Sequence, residues 1–287
     1  MNSKIHITGH TGFIGQNLSQ YLGEKVVGVN LRTQNELAFE RGAAVVHLAG
    51  KAHDLKKTAA HSEYFEVNTA LTKKVFDAFL VSEATVFVFM SSIKAGEGKD
   101  ITASAYSQSK YQAEQYIMAQ EVPLGKRVYI LRPVMVHGPG NKGNLNLLFG
   151  VVKRLGLWPL AAFENKRSFV SVENLCFVIK ELIDNESIPP GVYVVADKEA
   201  KSTNELVALA GEALDKKVTF IKLPKGLVRL MAKLGDVLPL PLNTERLEKL
   251  TENAVVDGSA LIKTIGKSLP VGTNAGFNKT FQSFVDE

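Results

Sequence analysis

The stretch Lys4-Ile5-His6-Ile7-Thr8-Gly9-His10-Thr11-Gly12-Phe13-Ile14-Gly15 decides the reading of this chain. Lys4–Thr8 is a short β-branched run that predicts a strand, and Gly12–Leu22 predicts a helix with Phe13, Ile14, Leu18 and Leu22 on one face. Between them lie three glycines at the spacing of a phosphate loop. Gly9 permits the tight turn, Gly12 lets the backbone approach a pyrophosphate, and Gly15 lets the helix pack close to the sheet. The helix N-terminus adds oriented N–H donors and the positive end of its dipole. Strand, glycine turn and helix in that order predict a dinucleotide site.

Working outward, β-branched runs alternate with helical patterns. Strands are expected at Val26–Asn30, Ala44–Ala49, Thr85–Met90 and Arg127–Leu131, the last stopping at Pro133, with helices over Glu63–Leu80 and Ser104–Ala119. That alternation predicts βαβ units and a parallel sheet. After residue 140 the texture changes. A glycine-rich loop is followed by a helix at Leu145–Leu155, a strand at Val192–Ala196, and a helix capped by Ser202 or Asn204 and running to about Leu214. Helical fragments broken by Pro239, Pro241 and Pro270 complete the chain. The expected fold class is α/β: a doubly wound parallel sheet (Rossmann) with a smaller mixed C-terminal substrate lobe. The dinucleotide domain is expected at 1–140 plus about 167–195, and the lobe at about 141–166 and 196–287.

Composition sets limits. The chain has 287 residues, 45% of them hydrophobic and 22% charged, which excludes wholesale disorder. Its net charge of +5 comes from scattered Lys and Arg, so an anionic small substrate is preferred to nucleic acid. A single cysteine, Cys176, excludes an internal disulfide framework. The longest apolar runs are too short to span a bilayer, and the N-terminal run is too short for a signal-peptide core. These features predict a soluble cytoplasmic protein with no membrane insertion. The six histidines show no metal spacing.

Two constellations refine the chemistry. At the end of the second strand, where an acidic residue would hold the ribose of NAD, the chain has Asn30 followed by Leu31 and Arg32. A neutral amide does not repel a 2′-phosphate and a guanidinium can pair with it, so the cofactor is NAD or NADP with a lean to NADP. Tyr106 and Lys110 stand four apart and share one helix face. Ser92 comes just after the buried strand at the carboxyl edge of the sheet, where open α/β sheets bind ligands. A phenol titrating at about 10 becomes a base near neutrality only if positive charge lowers it, and the Lys110 ammonium and a cationic nicotinamide are expected to do so.

With these residues, His47-Leu48-Ala49-Gly50, Asn68-Thr69, Leu131-Arg132-Pro133 and Gly138-Pro139-Gly140, the chain resembles the extended short-chain dehydrogenase/reductases. Within them it resembles the nucleotide-sugar group of UDP-galactose 4-epimerases and bacterial sugar-nucleotide 4-reductases. The resemblance implies that Gly9, Gly12, Phe13, Ile14 and Gly15 hold the pyrophosphate. It places Leu48, Ala49, Gly50 and Lys51 along the cofactor, with Asn68 beside them. It makes Tyr106 the base, Lys110 the ribose-binding group and Ser92 the hydroxyl partner. It implies that Asn144 and Leu145 grip the nucleotide diphosphate, that Arg167 clamps it, and that Arg246 is a looser second clamp.

The activity expected from this resemblance is that of an epimerase, with hydride transfer at C4 of a nucleotide-diphosphate sugar. A 4-keto-sugar reductase with exchangeable NADPH is the alternative, and a non-catalytic cofactor-binding scaffold is a second. Ile93 and Lys94 stand where the family's 4,6-dehydratases carry Asp and Glu, which argues against dehydration. His53 is weighed as a sugar contact, His47 as a packed residue, and Trp158 and Phe163 as filling of the lobe. The resemblance also implies a homodimer through Glu63–Leu80 and Ser104–Ala119.

Overall fold

The computed structural model describes residues 4–34, 36–51, 60–238 and 242–286. His53 and Asp54 lie outside the described residues. In chain order the named elements are β1 (Ile5–Thr8), α1 (Phe13–Leu22), β2 (Val26–Val29), β3 (Ala44–His47), α2 (His61–Tyr64), α3 (Leu71–Val81), β4 (Val86–Met90), α4 (Ala105–Met118), β5 (Arg127–Pro133), β6 (Met135–His137), α5 (Asn144–Leu155), β7 (Leu157–Trp158), β8 (Phe169–Ser171), α6 (Val172–Asp184), β9 (Gly191–Val195), α7 (Thr203–Ala213), β10 (Thr219–Phe220), α8 (Lys225–Val237), α9 (Thr244–Thr251), α10 (Ser259–Ile265) and α11 (Thr273–Asp286).

The first compact unit comprises 1–134, 172–195 and 258–270. Its six strands are all parallel, in the order β2-β1-β3-β4-β5-β9. The doubly wound sheet read from the alternation of strands and helices is therefore present. β1 pairs with β2 on one side and β3 on the other, so the winding reverses between the carboxyl ends of β1 and β3. Open sheets of this kind hold their ligands in that crevice. β3 and β4 are buried along their whole length, as parallel strands covered on both faces must be. Phe76, Phe79, Phe87 and Phe89 fill the layer beneath.

Residues 30–43 form turns and irregular backbone among the described residues, with Phe39 buried against His6, so β2 is the sheet edge. The long helix expected over Glu63–Leu80 is present as one continuous helical run, with a π-helical turn at Phe65–Ala70 between α2 and α3. Such wide turns cost hydrogen-bond geometry and occur preferentially where a side chain must be aimed. Helix α6 is absent from the sequence reading. Arg127 ties it to β5 by donating to the carbonyls of Leu182, Ile183 and Asn185 at its C-terminus, the end that attracts cations.

The second unit comprises 135–171, 196–257 and 271–287. Its core joins α5, α7 and α11 through Leu148, Phe149, Leu206, Ala210, Phe277 and Phe281. Trp158 and Phe163 belong to that core, as filling residues, and the Trp158 indole donates to Asn204 at 2.8 Å. Ser202, not Asn204, caps α7, in a reciprocal box with Glu205. Two short parallel pairs, β6–β8 and β7–β10, complete the unit.

Candidate active site

The glycine loop leaves β1 at Thr8 and turns at Gly9, whose φ of 69° is open to glycine without strain. A Cβ there would lie 2.6 Å from the Ala49 backbone nitrogen, so the ends of β1 and β3 meet at van der Waals contact. A Cβ on Gly15 would fall 2.3 Å from the Gly9 carbonyl, so α1 starts hard against the loop. Around Gly12 only the Gly9 carbonyl, at 3.3 Å, would be met. The space beside Gly12 is otherwise open. These residues fit a dinucleotide pyrophosphate: small, concave, and lined by backbone donors at a helix N-terminus.

The end of β3 is held by a run of buried polar contacts. Thr8 Oγ1 lies 2.7 Å from His47 Nδ1 and accepts from Ala49 N at 3.2 Å, and His47 Nε2 lies 3.0 Å from Thr72 Oγ1. Burial, with Lys110 nearby, lowers the His47 pKa to about 3, so this ring is a neutral structural group. Asn68, carried inward by the π-helical turn, accepts from Lys51 N at 2.7 Å. Its amide donates to Lys51 O at 3.1 Å and to Ser109 Oγ at 3.0 Å. Asn68 thus binds the β3 extension to α4, and its side chain is spent on protein groups. Lys51 pairs with Glu63 and stands over the Tyr64 ring.

At the end of β2, Asn30 Oδ1 accepts from Arg32 N at 3.0 Å, and Asn30 N donates to Gln34 Oε1 at 3.1 Å. The amide folds the turn that presents Arg32 at the surface. The His10 ring packs over Gly28, where a Cβ would come within 2.8 Å of it.

Ser92 lies just past β4 and caps the turn at Ile93–Glu97, accepting from Lys94 N at 3.2 Å. Tyr106 sits in the first turn of α4, which Ser104 caps. Ser92 and Tyr106 are hydrogen-bonded, and Tyr64 meets the Tyr106 ring edge-on with centroids 6.4 Å apart. Lys110 is buried one turn further along and donates to the Met90 carbonyl at 2.7 Å. A Cβ on Gly50 would lie 3.2 Å from its Nζ, so the ammonium sits between the ends of β3 and β4, beside the crevice. Ser92, Tyr106 and Lys110 therefore gather as their spacing predicts.

Their electrostatics differ from expectation. Burial raises the Tyr106 pKa, the Ser92 bond opposes it, and Tyr64 adds to it. The expected lowering is absent from the chain alone, because desolvation disfavours the phenolate. Lys110 is lowered to about 8, mainly by burial, with Glu114 pulling the other way.

Glu114 was not singled out by sequence reasoning. It is fully buried one turn beyond Lys110, accepts from Ser91 Oγ and from Arg132 Nε (2.9 Å), and also pairs with the second Arg132 nitrogen. The carboxylate ties α4 to the ends of β4 and β5. Its signal was an acid four residues after Lys110, the only other charged residue on α4.

The residues expected to hold the nucleotide diphosphate lie in the second unit. Asn144 and Leu145 open α5, and the Leu145 side chain is in the core, which leaves its backbone N–H as the group able to meet a ligand. Arg167 donates to the Lys249 carbonyl at 2.7 Å and lies 3.9 Å from Glu252. Burial lowers its pKa, and its backbone pairs with Lys201 and Ala254. Arg246 is exposed on α9. Among the described residues no group of three His, Cys, Asp or Glu could hold a metal ion.

The family model of the NAD dependent epimerase/dehydratase family matches residues 5–196, the stretch that carries the glycine loop, Ser92, Tyr106 and Lys110. The chain belongs to that family. It is 31% identical to a UDP-glucose 4-epimerase from Vibrio cholerae over 99% of this chain and 96% of the relative. Among solved structures it matches the fold of RMD from Pseudomonas aeruginosa, complexed with NADPH, at 16% identity and a TM-score of 0.73, covering 98% of this chain and 99% of the other. It also matches MoeE5 in complex with UDP-glucose and NAD, at 17% identity and a TM-score of 0.72 over 99% of each chain.

Proposed function

We propose that the chain is a nucleotide-diphosphate-sugar 4-epimerase that uses a nicotinamide dinucleotide. The reading rests on one observation: Ser92, Tyr106 and Lys110 converge at the carboxyl edge of the sheet, with the Lys110 ammonium beside Gly50 at the switch point. Family membership and the epimerase relative support it. The first unit is the cofactor domain and the second the sugar-binding lobe.

When bound, the cofactor supplies hydride exchange at C4 of the sugar. The chain moves the proton. Tyr106 takes the proton of the C4 oxygen and returns it, while Ser92 holds the same oxygen in line. Lys110, fixed to the Met90 carbonyl, meets the ribose and keeps positive charge near the phenol. Loop N–H groups around Gly12 to Gly15 orient the pyrophosphate, with Phe13 and Ile14 in the first turn of α1. Backbone N–H groups of Asn144 and Leu145, with Arg167 and Arg246, bind the sugar nucleotide's diphosphate. Dehydration has no acid–base pair here: Ile93 is apolar and the Lys94 ammonium is paired with Glu97 at 2.7 Å.

A second reading is a 4-keto-sugar reductase exchanging NADPH. The exposed Arg32 at the Asn30 turn, a cation able to pair with a 2′-phosphate, favours it, as does a resting phenol in its proton-donating form.

Purified protein is mixed with UDP-glucose and with UDP-galactose, and absorbance near 340 nm is monitored. Interconversion of the sugars with tightly held nicotinamide supports the epimerase. NADPH oxidation that requires an added 4-keto sugar supports the reductase. Bound cofactor with neither reaction overturns both. Arg167→Ala is expected to raise KM for the sugar nucleotide with little change in kcat, and an unchanged KM contradicts the clamp.

A further inference from the structure

Helix α8 has the sequence Lys225-Gly-Leu-Val-Arg-Leu-Met-Ala-Lys-Leu-Gly-Asp-Val237. Its apolar residues divide into two rows. Val228, Ala232 and Gly235 are buried against the second unit. Leu227, Leu230, Met231, Leu234, Val237 and the adjoining Leu238 recur at helical spacing on another face, and all six are exposed: Leu230 at 57%, Leu234 at 52% and Val237 at 86%.

The helix cannot roll to cover this stripe. A Cβ on Gly235 would lie 1.9 Å from the Leu242 carbonyl, so the helix backbone is pressed against the chain there. Asp236, the one acid on the helix, accepts from Thr244 N at 2.9 Å and Thr244 Oγ1 at 2.6 Å. Both contacts fix the helix about its axis with the large side chains outward. A contiguous stripe of this kind on a soluble surface marks an interaction site.

Charge identifies the partner. Going round the helix, the stripe meets the protein body along one border. Along the other stand Arg229 and Lys233, one turn apart, exposed, and in no ion pair among the described residues. Lys225 begins the helix over the Phe163 ring. An apolar face bordered by long basic side chains matches the acyl–headgroup boundary of an anionic bilayer: the leucines enter the acyl region and the cations reach back to phosphate. A second copy fits less well. Two-fold pairing of the same face would set Arg229 and Lys233 of one chain against those of the other. No described helix is long and apolar enough to cross a membrane, so α8 would lie in the plane of the surface.

We propose that α8 docks the protein on the surface of an anionic phospholipid membrane. The full chain is sedimented with phosphatidylcholine vesicles with and without phosphatidylglycerol. The expected result is co-sedimentation with the phosphatidylglycerol vesicles that weakens as salt is raised. Leu230→Glu with Leu234→Glu should lower partitioning by about tenfold or more. Arg229→Glu with Lys233→Glu should lower it on the anionic vesicles only. Far-ultraviolet circular dichroism and a thermal melt verify that both variants fold, as exposed substitutions should. Absence of the wild type from the anionic vesicle pellet at low salt overturns the proposal, as does equal pelleting of the Leu230→Glu/Leu234→Glu variant. A wild-type dimer that the same variant converts to monomer assigns the face to a second copy and also overturns it.

Discussion

Helix α4 buries a lysine and a glutamate in the first unit, whereas α8 in the second leaves five large apolar side chains in water. By pattern alone the two would be ranked the other way. The α4 sequence, AYSQSKYQAEQYIM, shows no clear apolar stripe, and α8 is sharply amphipathic. The difference teaches that periodicity tells which face of a helix is apolar, not which face is covered. Burial of Lys110 and Glu114 is tolerable because each has fixed partners: the Met90 carbonyl for one, Ser91 and Arg132 for the other. Exposure of the α8 stripe is tolerable if another surface meets it.

Substitutions can break this contrast, and the largest effect is expected at Glu114. Glu114→Ala leaves Arg132 and Ser91 facing an emptied buried site. It should lower stability by about 3–5 kcal/mol, read as a drop in the denaturant midpoint. A loss under about 1 kcal/mol would mean that the carboxylate is not the tie between α4, β4 and β5. Next is Gly15→Ala. With its Cβ 2.3 Å from the Gly9 carbonyl, the loop backbone must shift, and nicotinamide binding should weaken by at least about tenfold. Titration calorimetry with NAD and NADP measures this.

A third, smaller effect sharpens the contrast through pH. The Lys110 pKa in the fold, about 8, is below that of a free lysine, about 10.4. Between those values the unfolded chain binds more protons than the folded one, so this group's contribution to stability rises with pH across that window. The stability difference between wild type and Lys110→Met should therefore move in the wild type's favour from about pH 8 to about pH 10. Wild-type turnover should fall through a midpoint near 8 as the ammonium is lost. A flat profile on both measures would contradict a buried, titrating Lys110. The smallest effect is expected at α8, where Leu230→Glu with Leu234→Glu should change stability by no more than about 0.5 kcal/mol per site, since neither side chain is packed.

The strands, the glycine turn and the Tyr106–Lys110 spacing were legible in the sequence because each is a local pattern. Gly9, Gly12 and Gly15 carry their reasons within one turn of chain. The features that were not legible depend on tertiary pairing. Glu114 meets Arg132 across a helix and a strand, and Asn68 reaches Lys51 only because a π-helical turn rotates it inward. The Tyr106 shift is opposite to expectation for the same reason: burial, which spacing does not encode, outweighs the hydrogen bond with Ser92. Helix α11 also carries a local pattern, with Phe277, Phe281 and Phe284 at core spacing.

The central claim is that the Tyr106 phenol, bonded to Ser92 beside the glycine crevice, carries the proton of the sugar oxygen. Tyr106→Phe keeps the ring and removes that proton, so turnover and bound nicotinamide are measured on the same preparation. Turnover reduced by about 10²–10⁴ with cofactor content unchanged is the expected result. A variant that retains most of its activity would contradict the account.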